Sequence, residues 1–160
     1  MLRSNLIKSL VVLFVMITSG VSEAKTDSVT AFIKQKCIKG CIEANELLSI
    51  AIPVAKEAGV AVRTVIAIIT IESGFRVKVA SKGNYGLMQV LLKYHAKKFK
   101  TKDYFDPNEN IKVGTSIFKD CLKRKKTIRA ALTCYNGGAD KDYPDKVMAI
   151  MQQLTHIKLI

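Results

Sequence analysis

Apolar residues recur at spacings of three and four along most of this chain, while alternation with a period of two is scarce, so helices dominate the expected structure. The stretch "CIEANELLSIAIPVAKEAG" (41–59) predicts one or two helices, with Pro53 as a kink or break and Gly59 as a C-terminal stop. The next run, "AVRTVIAIITIES" (61–73), is apolar on most of its circumference, which predicts a buried central helix ended by Gly74. Residues 81–89, "SKGNYGLMQ", contain Gly83 and Gly86 and predict a loop or short hairpin leading into a helix. "DPNE" (106–109) starts a further helix, with Asp106 as cap, Pro107 in the first turn and Glu109 completing a capping box. Ile111, Gly114, Ile117, Phe118 and Cys121 then fall on its inward face. "TIRAALTCYNGG" (127–138) predicts a short helix capped by Thr127 and stopped by Gly137 and Gly138. A last helix starting at Pro144 places Val147, Ile150, Met151 and Leu154 on one side.

These elements suffice for one compact, mainly α domain over residues 41–160, with no internal repeat. Ahead of it, residues 25–40 begin "KTDSVTAFIKQ" and read as a polar, loosely held lead-in. Residues 1–24 have the three-part layout of a secretory signal peptide: Arg3 and Lys8, then "LVVLFVMITSGV", then small residues at Ser22 and Ala24. The apolar part is short for a membrane span, which needs about 20 residues. Cleavage after about Ala24 and export to the periplasm or the cell exterior are expected; an uncleaved anchor is the alternative.

Cys37, Cys41, Cys121 and Cys134 suit an oxidising compartment. Four cysteines allow three pairings, and sequence does not select one. The preferred arrangement joins Cys121 to Cys134 across two consecutive helices and lets Cys37–Cys41 close a small loop. "CIKGC" with no nearby histidine is not a recognised zinc pattern, and a cysteine nucleophile served by His95 or His156 is the weaker use of these thiols. No metal or organic cofactor is implied.

Charge narrows the partner class without choosing one. Lys and Arg number 26 against 13 Asp and Glu, a formal charge of +13. Such an excess favours nucleic acid, an anionic membrane or an acidic wall polymer. The basic residues are scattered, with a cluster at Lys123–Lys126 and a pair at Lys97 and Lys98, and no aromatics interleave with them. They read as a solvated face, so no specific nucleic acid is expected.

The residue that carries chemistry is Glu72, one carboxylate at the inner end of the greasy run "VIAIITI". It shares a helical face with Ile68 and Ile69, and burial beside them disfavours the ionised form. The last turn of a helix adds the negative end of the macrodipole, which opposes ionisation further. That placement is poor for stability and good for a general acid, because a carboxyl kept protonated near neutral pH can give its proton to a leaving oxygen.

Around Glu72 the residues resemble a known family. "IESGFRVKVASKGNYGLMQV" is similar to the Glu-Ser, Ala-Ser and Gly-Leu-Met-Gln pattern of the lytic transglycosylase (SLT-type), lysozyme-like domain. "NENIKVGTSIF" resembles that family's Asn-Ile-x-x-Gly helix at Asn110, Ile111 and Gly114. "ALTCYNGG" resembles its Ala-Leu-x-x-Tyr-Asn-x-Gly segment, ending at Tyr135, Asn136 and Gly138. The motifs come in the family's order over roughly Leu47 to Val147. Two departures stand out: "VLLKYHAKKF" lacks a proline often found after the glutamine, and Cys134 replaces a residue that is often small.

The resemblance implies a lysozyme-like fold with a small loop or hairpin region near the active site. It implies cleavage of the β-1,4 bond between N-acetylmuramic acid and N-acetylglucosamine in peptidoglycan, with a 1,6-anhydromuramyl product and Glu72 as the single acid and base. Ser73 would fix the region of the glutamate, Gly86, Met88 and Gln89 would line the sugar groove, Tyr135 would place its hydroxyl close to Glu72, and Asn136 would hold the turn beneath it. The implied partner is the peptidoglycan glycan strand, met by a monomer that serves wall turnover or a secretion, pilus or phage assembly. The rivals are a hydrolytic muramidase of goose-lysozyme type with a second carboxylate, and a peptidoglycan-binding or virion structural module without turnover. Asp106 and Glu109 read as caps, and Asp140, Asp142 and Asp145 crowd a polar turn, so a one-acid mechanism fits the acids present.

Overall fold

The computed structural model describes residues 27–157 and 159. The signal-peptide assignment for residues 1–24 lies outside the described residues. Among those described, no helix is long and apolar enough to cross a membrane. The chain is helical over residues 27–36 (α1), Ala44–Ala58 (α2), Val62–Ser73 (α3), Leu92–His95 (α4), Pro107–Lys125 (α5), Ile128–Tyr135 (α6) and Tyr143–Gln153 (α7). Two short 3₁₀ turns follow α4 and α7. Between α3 and α4 lies a small antiparallel sheet, β1 (Ala80–Ser81), β2 (Asn84–Tyr85) and β3 (Val90–Leu91), in that order. The architecture is mainly helical and fits a compact lysozyme-like domain.

The central helix is α3. Val65, Ile66, Ala67, Ile68 and Ile69 are all essentially inaccessible, because α2, α7 and the turn after α7 pack around it. It ends where its sequence says: Gly74 adopts φ 56°, which L-residues resist, and its N–H donates to the Thr70 carbonyl. Neighbouring α2 runs through Pro53 as one helix. Pro53 and Ser49 face solvent, so water can satisfy the carbonyl that Pro53 leaves without an N–H.

Two expectations need correction. The capping box at α5 is only half formed. The Glu109 N–H donates to Asp106 Oδ1 at 2.8 Å, but the Glu109 carboxylate accepts from the Lys100 N–H, and the Asp106 N–H donates to the Asp103 carbonyl. The loop before α5 folds back and competes for the glutamate. The second correction concerns residues 25–40, whose described part is no loose lead-in. Val29, Phe32 and Ile33 recur at helical spacing and are buried in the core, and the Phe32 ring meets Phe75 edge-on at 5.9 Å. Only Thr30 and Ala31 intervene between these three, and the polar residues on either side, 25–28 and 34–36, masked so short a stripe.

Both disulfides close over short distances in the chain. Cys37 is bonded to Cys41 at the end of α1, and Cys121 to Cys134 between α5 and α6. Phe32→Ala should therefore cost about 3 kcal/mol or more of unfolding free energy, as core aromatic truncations do, in urea denaturation followed by circular dichroism. A change near zero would mean that α1 is not part of the cooperative unit.

Candidate active site

Glu72 stands in the last turn of α3, half-buried, with Ile68 and Ile69 of the preceding turn fully buried beneath it. Its Oε1 accepts a 2.7 Å hydrogen bond from the Tyr143 hydroxyl at the start of α7. Burial pushes the carboxyl up to about 7, against the hydrogen bond from Tyr143, which by itself favours the ionised form. Among the described residues no second carboxylate contributes to that shift. Tyr143 is itself buried, and its pKa is raised by burial, then by the charges of Glu72 and Tyr135 and the bond to Glu72. It therefore remains a donor.

Tyr143 was not legible as a site residue, since the predicted helix began one position later at Pro144. The path that delivers it starts from the Tyr-Asn pair. Asn136 Oδ1 accepts from the Asp140 N–H at 2.8 Å, Asp140 Oδ1 accepts from the Asp142 N–H at 2.9 Å, and Tyr143 follows. Asn136 thus seats the turn between α6 and α7. The acids of that turn behave unlike Glu72. Asp140 is held below the usual carboxylate range chiefly by the hydrogen bond from Lys146, and Asp145 by the one from Arg129.

Burial raises the pKa of Tyr135, and the nearby Glu72 charge raises it further. Its hydroxyl donates to the Met88 carbonyl at 2.8 Å, and it is Tyr143 whose hydroxyl bonds the glutamate. Phe118 packs edge-on against the Tyr135 ring and fixes its tilt.

The remaining predicted residues gather behind Glu72 as supports. Met88 is completely buried; its side chain accepts a weak 3.7 Å bond from the Thr115 hydroxyl and lies against Gly114, where an added Cβ would sit 2.6 Å from its sulfur. The side chain therefore lines no groove, contrary to expectation. Gly86 adopts φ 73° and presses so closely on Asn110 that any Cβ would overlap its amide. Close approach to protein is what requires a glycine here. Gln89, half-buried at φ 46°, donates through Nε2 to the carbonyls of Val79 and Gly86 at 3.0 and 2.9 Å. Ser73 is buried and its hydroxyl donates to the Ile69 carbonyl one turn back.

Asn110 ties these supports together. This fully buried amide accepts from the Met88 N–H at 2.8 Å and donates to the carbonyls of Tyr85 and Tyr104 at 2.8 and 3.0 Å. One side chain thereby satisfies backbone groups on two loops that have no regular partners there. Its signal in the sequence was the Asn-Ile-x-x-Gly motif, which gave no hint of which loops it would hold.

A carboxyl raised to about 7, a tyrosine donor and a braced glycine-rich loop thus come together. The family model of the transglycosylase SLT domain matches residues 49–153. The chain belongs to that family. Lytic cleavage of glycosidic bonds in peptidoglycan is the general activity that an SLT domain supports, and peptidoglycan is the substrate it implies. A search of the curated proteins found no match. The SLT match begins inside α2 and ends with α7, so α1 and the Cys37–Cys41 loop lie ahead of it while packing on the same core.

The shifted carboxyl has a measurable cost. Glu72 is protonated in both folded and unfolded chains below about pH 4.5; as pH rises to about 7, the unfolded chain ionises first and stability falls. The full deficit, at most about 3 kcal/mol, stands above pH 7. Glu72→Gln should therefore melt higher than wild type at pH 8, with the gap closing toward pH 4 in pH-resolved thermal scans. A gap independent of pH would contradict the burial of this carboxyl.

Proposed function

We propose that this protein is an exported lytic transglycosylase in which Glu72 acts first as acid and then as base. The observation that carries the reading is a half-buried glutamic acid with pKa about 7, bonded to a tyrosine and with no second carboxylate acting on it among the described residues. Near neutral pH a large fraction of Glu72 is protonated and able to protonate the glycosidic oxygen between N-acetylmuramic acid and N-acetylglucosamine. As that bond breaks, the muramyl N-acetyl oxygen stabilises the positive centre at C1. The ionised Glu72, held by the Tyr143 hydroxyl, then takes the proton of the muramyl 6-hydroxyl while its oxygen closes on C1. The proton balance is zero, water is not consumed, and the product carries a 1,6-anhydro ring.

Tyr143 is a positioning residue in this scheme. Its hydrogen bond aims the carboxyl and stabilises the ionised form that must act as base. Loss of it should raise the Glu72 pKa further, because the bond favours ionisation. Export would follow removal of residues 1–24, and the oxidising compartment suits the two disulfides.

Mass spectrometry of muropeptides released from sacculi by the purified protein is the direct test. Anhydromuramyl ends should appear with wild type and fall by at least 100-fold, on the scale of losing a general acid, with Glu72→Gln. Glu72-dependent reducing ends in their place would assign hydrolysis and a second carboxylate. In the pH profile of turnover, activity should decline through about pH 7 in wild type. Tyr143→Phe should lower the maximum and move that limb to higher pH; an unmoved limb would remove Tyr143 from the site's electrostatics.

A further inference from the structure

Past the C-terminal end of α3 there is a concavity of about 390 Å³ between the Cys37–Cys41 loop and residues 76–79. Lys39, Arg76 and Lys78 line it, and no carboxylate does. All three are exposed, and none takes part in an ion pair among the described residues. Three cations around one hollow repel one another, an arrangement that contributes nothing to folding and suits an anionic ligand.

The hollow is built, not incidental to a loose loop. The Val77 N–H donates to the Gly40 carbonyl and the Ile42 N–H to the Phe75 carbonyl, both at 2.9 Å. Cys41 and Arg76 form a β-bridge across it, and the disulfide confines Lys39 to a five-residue ring. Arg76 donates through Nε to the Ser73 carbonyl at 2.9 Å, which anchors the guanidinium and leaves its other donors for a ligand. A guanidinium flanked by two ammonium groups matches a carboxylate.

Its position relative to Glu72 is fixed by the chain. Residues 76–79 start four positions after the glutamate, and the Val79 carbonyl at their end accepts from the Gly86 N–H at 2.8 Å and from Gln89 Nε2. The segment that walls the hollow therefore also anchors the loop of the candidate active site. In peptidoglycan the muramyl residue bears a short peptide with free carboxylates, so a glycan lying at Glu72 would bring acidic peptide close by.

We infer that the Lys39–Arg76–Lys78 hollow is a subsite for a carboxylate of the muramyl-linked peptide, giving preference for peptide-bearing over bare glycan. This rests on the transglycosylase reading above and adds a substrate class to it.

The test compares kcat/KM of the purified protein on three glycans: native sacculi, sacculi whose peptide carboxylates have been amidated, and glycan stripped of peptide by an amidase. Wild type should favour native material over both others by up to roughly fivefold, the upper end of one exposed charge contact. Lys39→Ala with Lys78→Ala should erase that ratio, and Lys39→Arg with Lys78→Arg should keep it. Equal rates on all three glycans, or a preference that survives amidation or the alanine pair, would overturn the subsite while leaving the Glu72 chemistry standing. Absence of Glu72-dependent product from every glycan would instead remove the transglycosylase reading and the subsite with it.

Discussion

Everything at this site depends on keeping one carboxyl partly out of water. A glutamate at a helix end ordinarily turns to solvent and ionises, and nothing in α3 alone forbids that. What prevents it is the packing of α7 against α3, which sets Tyr143 on Glu72 and leaves Ile68 and Ile69 beneath it with no access to water. The two influences are opposed: burial raises the pKa, and the tyrosine hydroxyl restrains the rise. The balance near neutrality is what a group needs if it must both give and take a proton. The stability sacrificed is small beside the burial of the helix that carries it.

Behind the carboxyl stands a scaffold of backbone contacts. The loop 85–89 contains two left-handed residues, Gly86 and Gln89, and cannot hold itself by regular pairing. Asn110 from α5 and Tyr135 from α6 take its Met88 N–H and carbonyl in turn. Gly86 and Gly114 are glycines because Asn110 and Met88 occupy the space of their Cβ atoms. The Gly-Leu-Met-Gln, Asn-Ile-x-x-Gly and Tyr-Asn motifs are in this sense one device, three segments locked to each other, with Glu72 and Tyr143 placed by the result.

Charge and disulfides act at the margins of this scaffold. The ion pairs Lys98–Asp120, Arg129–Asp145 and Lys146–Asp140 are solvent-exposed and contribute little to stability; the last two bracket the turn that leads to Tyr143. The Cys121–Cys134 bond joins α5 to α6 one residue before Tyr135. The Cys37–Cys41 bond shapes the loop ahead of α2. Among the described residues, most of the remaining lysines and arginines form no salt bridge and face water.

By itself the sequence determined the helices, their stops and the acid. Periodicity located α2, α3, α5, α6 and α7 because an amphipathic helix writes its buried face at spacings of three and four, and Gly59 and Gly74 stop theirs because each adopts a left-handed conformation. Glu72 was visible because a lone acid after an apolar run is locally anomalous. Only the tertiary structure decided what touches it. Tyr143 lies 71 residues away along the chain, and no local pattern encodes a contact at that separation. The same holds for Met88, whose motif suggested substrate contact until its burial under α5 became visible, and for Val29, Phe32 and Ile33, whose stripe is short and set between polar flanks. Local rules read the shape of each segment; burial, and with it the pKa of Glu72, is a property of how segments meet.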